Sequence, residues 1–132
     1  MKKIHNMHNE IIGLKVVENL KKNSFSAIYF KTGSEAAEFI MSNIYKGDRV
    51  GFGGSMTVVK LGIQARGAEL GGLVLDHGDI TLSPDEKMET MRGELLSDVF
   101  ICSSNAVTMD GELVNIDGVG NRVAAKIGRA HV

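Results

Sequence analysis

The sequence predicts an α/β fold: a parallel sheet between two layers of helices, with a small β-hairpin near residues 106–117. Three observations carry that expectation. Short apolar runs alternate with segments of helical period, the pattern of strands joined by crossover helices and buried on both faces. A glycine turn, Gly53-Gly54, stands where one of those runs hands over to a helix. Asp110-Gly111 lies between two apolar stretches, as in a two-stranded hairpin.

Taken in order, Ile4, Met7, Ile11, Leu14, Val17 and Leu20 recur at helical spacing, so a helix is expected from Ile4 to Leu20. Ser26 to Phe30 is short, aromatic and β-branched, and is expected to be a strand. Thr32 and Glu35 have capping-box spacing and open a helix over 36–45 that stops near Gly47. Arg49 to Phe52 reads as a brief strand, residues 58–70 as one helix, and Leu73 to Leu75 as a further strand. Ser83-Pro84-Asp85-Glu86 supplies an N-cap, a proline at the first helical position and a glutamate three after the cap. That helix runs to Leu96, with Met88 and Met91 at core spacing, and residues 98–104 follow as a strand containing Cys102 as a buried thiol. Gly118 and Gly120 mark a turn, which puts Asn121 and Arg122 in the first turn of a last helix.

Composition narrows the function classes. With 132 residues and 43% hydrophobic side chains, the chain suits one globular domain with an ordinary core. Fifteen Lys and Arg against sixteen Asp and Glu give a charge of −1, scattered along the chain, so neither nucleic acid nor a membrane surface is an expected partner. No apolar run is long enough to cross a bilayer, and MKKIHNMHNE lacks the apolar core of a signal peptide. One cysteine fits a reducing cytoplasm.

Two stretches carry candidate chemistry. In the turn after Phe52, Gly53 and Gly54 let an anion approach the main chain, and Ser55 and Thr57 add hydroxyls. Met56 stands where a dinucleotide fingerprint needs its third glycine, and the phosphate-loop lysine is absent. The same residues also suit a tight turn with a serine or threonine cap. Further on, Asn105, Asp110, Glu112, Asn115, Asp117, Asn121 and Arg122 crowd one short interval. Strand alternation puts Glu112, Val114 and Ile116 on one face and Leu113, Asn115 and Asp117 on the other. Glu112 or Asp117 could act as acid or base, and Arg122 could grip a carboxylate or phosphate, or simply pair with Asp117 or Asp110. No metal is expected: the acidic run lacks calcium-loop spacing, and His5, His8, His77 and His131 show no zinc spacing. His77, beside Asp76 at a strand end, reads as an exposed loop histidine.

GFGGSMT, SPDEKM and SSNAVTMDGELVNIDGVGNRVAA, in that order and spacing, resemble the LUD domain of lactate utilization proteins. The resemblance implies a Rossmann-like fold similar to ribose-5-phosphate isomerase, glucosamine-6-phosphate deaminase and CoA transferases. It implies a part in oxidising L-lactate to pyruvate, with electrons carried by iron–sulfur partner subunits. This chain has no cluster motif, so it resembles the component without a cofactor of its own, binding a small anionic metabolite. Gly53, Gly54, Ser55, Asn105, Asp110, Glu112, Asn115, Asp117, Asn121 and Arg122 fall on the family's motifs. Two other readings follow: a stand-alone sugar-phosphate isomerase-like or acyl-transfer enzyme, and a non-catalytic docking subunit of a redox complex. Residues 1–127 are expected to be a partial domain and 128–132 a non-native tail, because the final IGRAHV resembles a translated sequencing adapter. A domain cut there would leave a sheet edge open to homo-oligomerisation.

Overall fold

The computed structural model describes residues 1–129 of the chain, so the expected tail at 128–132 lies outside the described residues from 130 onward. Two compact units form. The first comprises residues 1–35 and 104–115, and the second 36–103 together with the segment from residue 116 onward.

The first unit holds a long helix and a hairpin. Helix α1 spans Lys2–Lys22 and closes on a left-handed Ser24, φ 67°, with the Phe25 amide returning to the Leu20 carbonyl. Its Ile4, Met7, Ile11 and Leu14 are exposed, so the expected apolar stripe is present without being buried. The hairpin pairs β4, Ala106–Val107, with β5, Leu113–Val114, antiparallel. Its turn falls at the expected place but takes in Met109 as well: Thr108 pairs with Glu112 across it, the Gly111 amide bonds the Thr108 carbonyl, and Gly111 takes φ 80°. Two asparagines of α1 hold this turn. Asn19 Nδ2 donates to the Met109 carbonyl at 2.7 Å, and Asn23 Nδ2 donates to the carbonyls of Asp110 at 3.1 Å and Gly111 at 2.9 Å.

Residues 26–30 join no sheet, which corrects the expected strand there. The aromatic and β-branched composition stands, with Ala27, Tyr29 and Phe30 half-buried, but strand propensity only says that a segment suits a pleated surface. A strand also needs a ladder partner, and none of the described strands supplies one.

The second unit carries the parallel sheet in the order β2-β1-β3, where β1 is Arg49–Phe52, β2 Leu73–Asp76 and β3 Val99–Ile101. The central strand β1 pairs with both neighbours, Val50 facing Val74 on one side and Val99 on the other. Helix α2, Gly33–Met41, starts at the predicted capping box, with reciprocal Thr32–Glu35 bonds. It ends four residues before the expected limit of 45, because Ser42 Oγ and Asn43 Nδ2 both take the Phe39 carbonyl. The single helix expected over 58–70 is two, α3 Met56–Lys60 and α4 Ile63–Glu69, separated by Gly62 in the left-handed region at φ 65°. Helix α5, Pro84–Leu95, has the predicted box between Ser83 and Glu86, and α6 is Asn121–Arg129.

The core lies on one face of this sheet. Ala37, Met41, Ile44, Val58 and Ile63 pack with Val50, Phe52 and Ile101. On the opposite face, α5 lies so close to β1 that a side-chain carbon at Gly51 would sit 3.2 Å from Glu94 Cα. Helices thus cover both faces, as expected. Two details differ: β3 ends at Ile101, so Cys102 lies just past the strand, and Met88 is 45% exposed rather than core. The buried residue of α5 is instead Glu94.

Replacing Gly111 with alanine tests the clasp between hairpin and α1. The new methyl would stand 2.5 Å from the Asn19 carbonyl carbon, in a backbone region that alone costs an L-residue ~1–2 kcal/mol. Urea unfolding followed by far-UV circular dichroism should register a loss above that range, and a change under ~0.5 kcal/mol would contradict the close approach.

Candidate functional site

The candidate residues divide between the units. Asn105, Asp110, Glu112 and Asn115 belong to the first, and Gly53, Gly54, Ser55, Thr57, Asp117, Asn121 and Arg122 to the second. In the hairpin, Asn105, Asp110 and Glu112 are exposed and Asn115 is half-buried. The Glu112 amide donates to the Thr108 hydroxyl at 3.0 Å, and that hydroxyl donates to the Glu112 carboxylate at 3.4 Å. The alternation expected from 112 to 117 persists in burial, Leu113, Asn115 and Asp117 being the covered set, although ladder pairing reaches only residues 113 and 114.

In the second unit the site is built at the carboxyl ends of the strands. The Gly53 amide donates to the Ile101 carbonyl at 3.0 Å, which ties the start of the glycine turn to the end of β3. A side-chain carbon at Gly53 would lie 2.7 Å from Cys102 Cβ and 3.1 Å from Arg122 Cγ. At Gly54, φ 64°, it would lie 3.5 Å from His77 Nε2. The turn is thus flanked by Arg122 at one glycine and by His77 at the next. Ser55 is buried, and its Oγ accepts the Val58 amide at 3.3 Å as the cap of α3. Thr57 is exposed.

Arg122 is held on three sides. Its Nε donates to Asp117 Oδ1 at 2.8 Å, one terminal nitrogen to the Ser103 carbonyl at 3.1 Å, and the other to the Ile116 carbonyl at 3.0 Å. The other oxygen of Asp117 accepts the Val123 amide at 2.7 Å, so this carboxylate also satisfies the start of α6. Lys126, one turn further along α6, donates to the Ser103 carbonyl at 2.9 Å. Two cations therefore converge on the end of β3. Asn121 faces elsewhere: it lines a groove of about 240 Å³ with Met88, Met91, Leu95 and Val119, and its Nδ2 is buried without a partner among the described residues.

His77 corrects the expectation of an exposed loop histidine, since its side chain is only 18% exposed. Its Nδ1 lies 2.7 Å from Glu94 Oε1, and the same oxygen accepts the His77 backbone amide at 3.1 Å. Glu94 is 1% exposed, and its Oε2 has no hydrogen-bond partner among the described residues. Leaving such an atom unsatisfied costs roughly 1–3 kcal/mol. Glu94 and Lys126 both escaped the sequence reading. Lys126 was findable as the i+4 neighbour of Arg122, whereas a glutamate on a helix otherwise reads as surface. Among the described residues, no group of three or more His, Cys, Asp or Glu is placed to hold a metal ion, and no helix is long and apolar enough to cross a membrane.

Against known protein families, the model of the LUD domain matches residues 14–132. The chain belongs to the LUD domain family. No curated protein and no solved structure gives a match. LUD domains are associated with lactate utilization proteins.

The electrostatics of this LUD domain follow from its contacts. Burial pushes the Cys102 thiol up, while the Lys126 and Arg122 charges pull the other way without reversing it. Cys102 is therefore a protonated, weakly nucleophilic group. Ellman's reagent should modify it at least about tenfold more slowly in the native LUD domain than in urea, and equal rates would refute the assignment.

Burial also pushes the Asp117 carboxyl up, but the Val123 amide and the Arg122 hydrogen bond and charge outweigh it, holding the group below its ordinary 3.8. A carboxylate whose folded value is depressed stabilises fully above the unfolded value, and that contribution disappears as pH falls through the folded one. Asp117→Asn should cost on the order of 3 kcal/mol near neutral pH, because it leaves a half-buried guanidinium short of its counter-charge. As pH falls from neutral through the depressed carboxyl value, the gap to wild type should close. Urea midpoints across that range measure it, and a gap independent of pH would overturn this account.

Proposed function

We propose that this LUD domain binds a small anionic metabolite, a carboxylate or a phosphate ester, over the Gly53–Gly54 turn. It does so as the component of lactate utilization that carries no iron–sulfur cluster. The observation that carries this reading is the convergence at the ends of β1 and β3: a glycine turn exposed at Gly54, with Arg122 packed against Gly53 and Lys126 one helical turn further along α6. In a sheet of order β2-β1-β3, the connection after β1 runs to one side, and the one after β2 crosses to the other. Open parallel sheets take ligands at the carboxyl end of such a reversal.

Arg122 acts here as a fixed positive charge rather than a free gripping side chain, since Asp117 already holds it. Lys126 is a second cation at this strand end, held by the Ser103 carbonyl. One cysteine cannot supply the thiolates that a cluster requires, so electrons pass through iron–sulfur partner subunits. A single free cysteine also suits the reducing cytoplasm in which we place the protein. The sugar-phosphate isomerase-like and acyl-transfer readings share this anion site and differ in the ligand that fills it.

Isothermal titration calorimetry with L-lactate, pyruvate and ribose 5-phosphate tests the proposal. At least one should bind, and Lys126→Met should weaken it by about tenfold, or ~1.4 kcal/mol. Absence of binding to all three, or an affinity unaffected by Lys126→Met, would overturn the site.

A further inference from the structure

We infer that His77 accepts a proton from a hydroxyl group of the bound anion, and that buried Glu94 is its positioning residue. This rests on the binding reading above and adds to it a reacting group and a ligand class: a small anion that carries a hydroxyl.

The geometry argues it in three steps. Glu94 Oε1 accepts both the backbone amide and the ring Nδ1 of His77, so one carboxylate oxygen fixes the residue at two points. A carboxylate is an acceptor only, so the Nδ1 it faces carries the proton and Nε2 keeps its lone pair. That Nε2 lies beside Gly54, where a side-chain carbon would stand 3.5 Å away. With glycine there, in a left-handed turn, no side chain of residue 54 covers the lone pair.

A simple tie between the end of β2 and α5 would need no such arrangement. Glu94 is wholly buried with one oxygen unsatisfied, while its partner histidine remains partly open at the strand ends. Carboxylate, imidazole and uncovered nitrogen in series form the arrangement that orients a general base. In the step, the ligand O–H bond breaks and an N–H bond forms at Nε2. The electron pair stays on oxygen as an alkoxide, and the imidazolium formed faces the Glu94 carboxylate.

The test compares L-lactate with propionate, which keeps the carboxylate and lacks the hydroxyl, alongside the tautomer of His77 in long-range ¹H–¹⁵N spectra. Wild type should show the Nδ1–H tautomer and bind lactate roughly tenfold more tightly than propionate. His77→Phe should abolish that preference. Glu94→Gln, whose amide can also donate to Nδ1, should release the tautomer and reduce the preference. An Nε2–H tautomer in wild type overturns the inference without any variant having to fold. So does a lactate preference that survives His77→Phe. If wild type binds neither carboxylate, nor phosphate esters, the anion reading falls and this one with it.

Discussion

The second unit depends on the alternation of Val50, Gly51, Phe52 and Gly53 in and just beyond the central strand. Successive side chains of a strand point to opposite faces, so Val50 and Phe52 fill one side and the two glycines leave the other bare. Large residues on the first face anchor the core. Hydrogen in place of a side chain on the second lets α5 approach at Gly51, and lets Phe100, Cys102 and Arg122 close in at Gly53. Packing and site geometry are therefore set by the same four residues. A methyl group at 51 would meet Ser97 Oγ at 2.9 Å and push out the helix that carries Glu94.

From that strand the polar architecture follows. Because α5 lies against the glycine face, Glu94 reaches the end of β2 and takes His77 by ring and backbone. Because α6 begins near the end of β3, Arg122 and Lys126 share the Ser103 carbonyl, whose two lone pairs accept both. A buried ion pair is weak evidence for stability, since desolvation offsets much of the attraction. What the Arg122–Asp117 pair does secure is direction: a planar guanidinium held at three points has little freedom to swing.

Local signals were legible in the sequence wherever the physics itself is local. The boxes at Thr32–Glu35 and Ser83–Glu86, and the turn at Asp110-Gly111, close within a few residues and appear as expected. The family motifs likewise led to the LUD domain, and β1 keeps its expected bounds. Features that depend on a distant partner were not legible. Residues 26–30 look like a strand until a ladder is required, and 58–70 look like one helix until Gly62 turns left-handed. Glu94 was invisible because Met88 and Met91 pointed to the wrong inner face of α5. The side that meets the sheet is decided by Gly51 of β1, far away in the chain. The crowd of polar residues from 105 to 122 reads as one cluster but is shared between two units, because adjacency along a chain carries no information about which body a residue joins.

The start of α6 illustrates how a site can hold its own anion. Exposed amides at a helix start attract negative charge, and the run Gly118 to Arg122 suggested an external ligand there. Asp117 takes that position instead, bonding the Val123 amide and neutralising Arg122 in the same stroke. An incoming anion thus meets a helix start already satisfied and an arginine already paired. Lys126 joins Arg122 at the Ser103 carbonyl as a second cation at this end of β3. Positive charge alone discriminates poorly among carboxylates and phosphates, because Coulomb attraction does not distinguish their shapes. Selectivity must then come from directional groups at the same turn. Under the anion-binding proposal, His77, oriented by Glu94 beside Gly54, is a directional group at that turn.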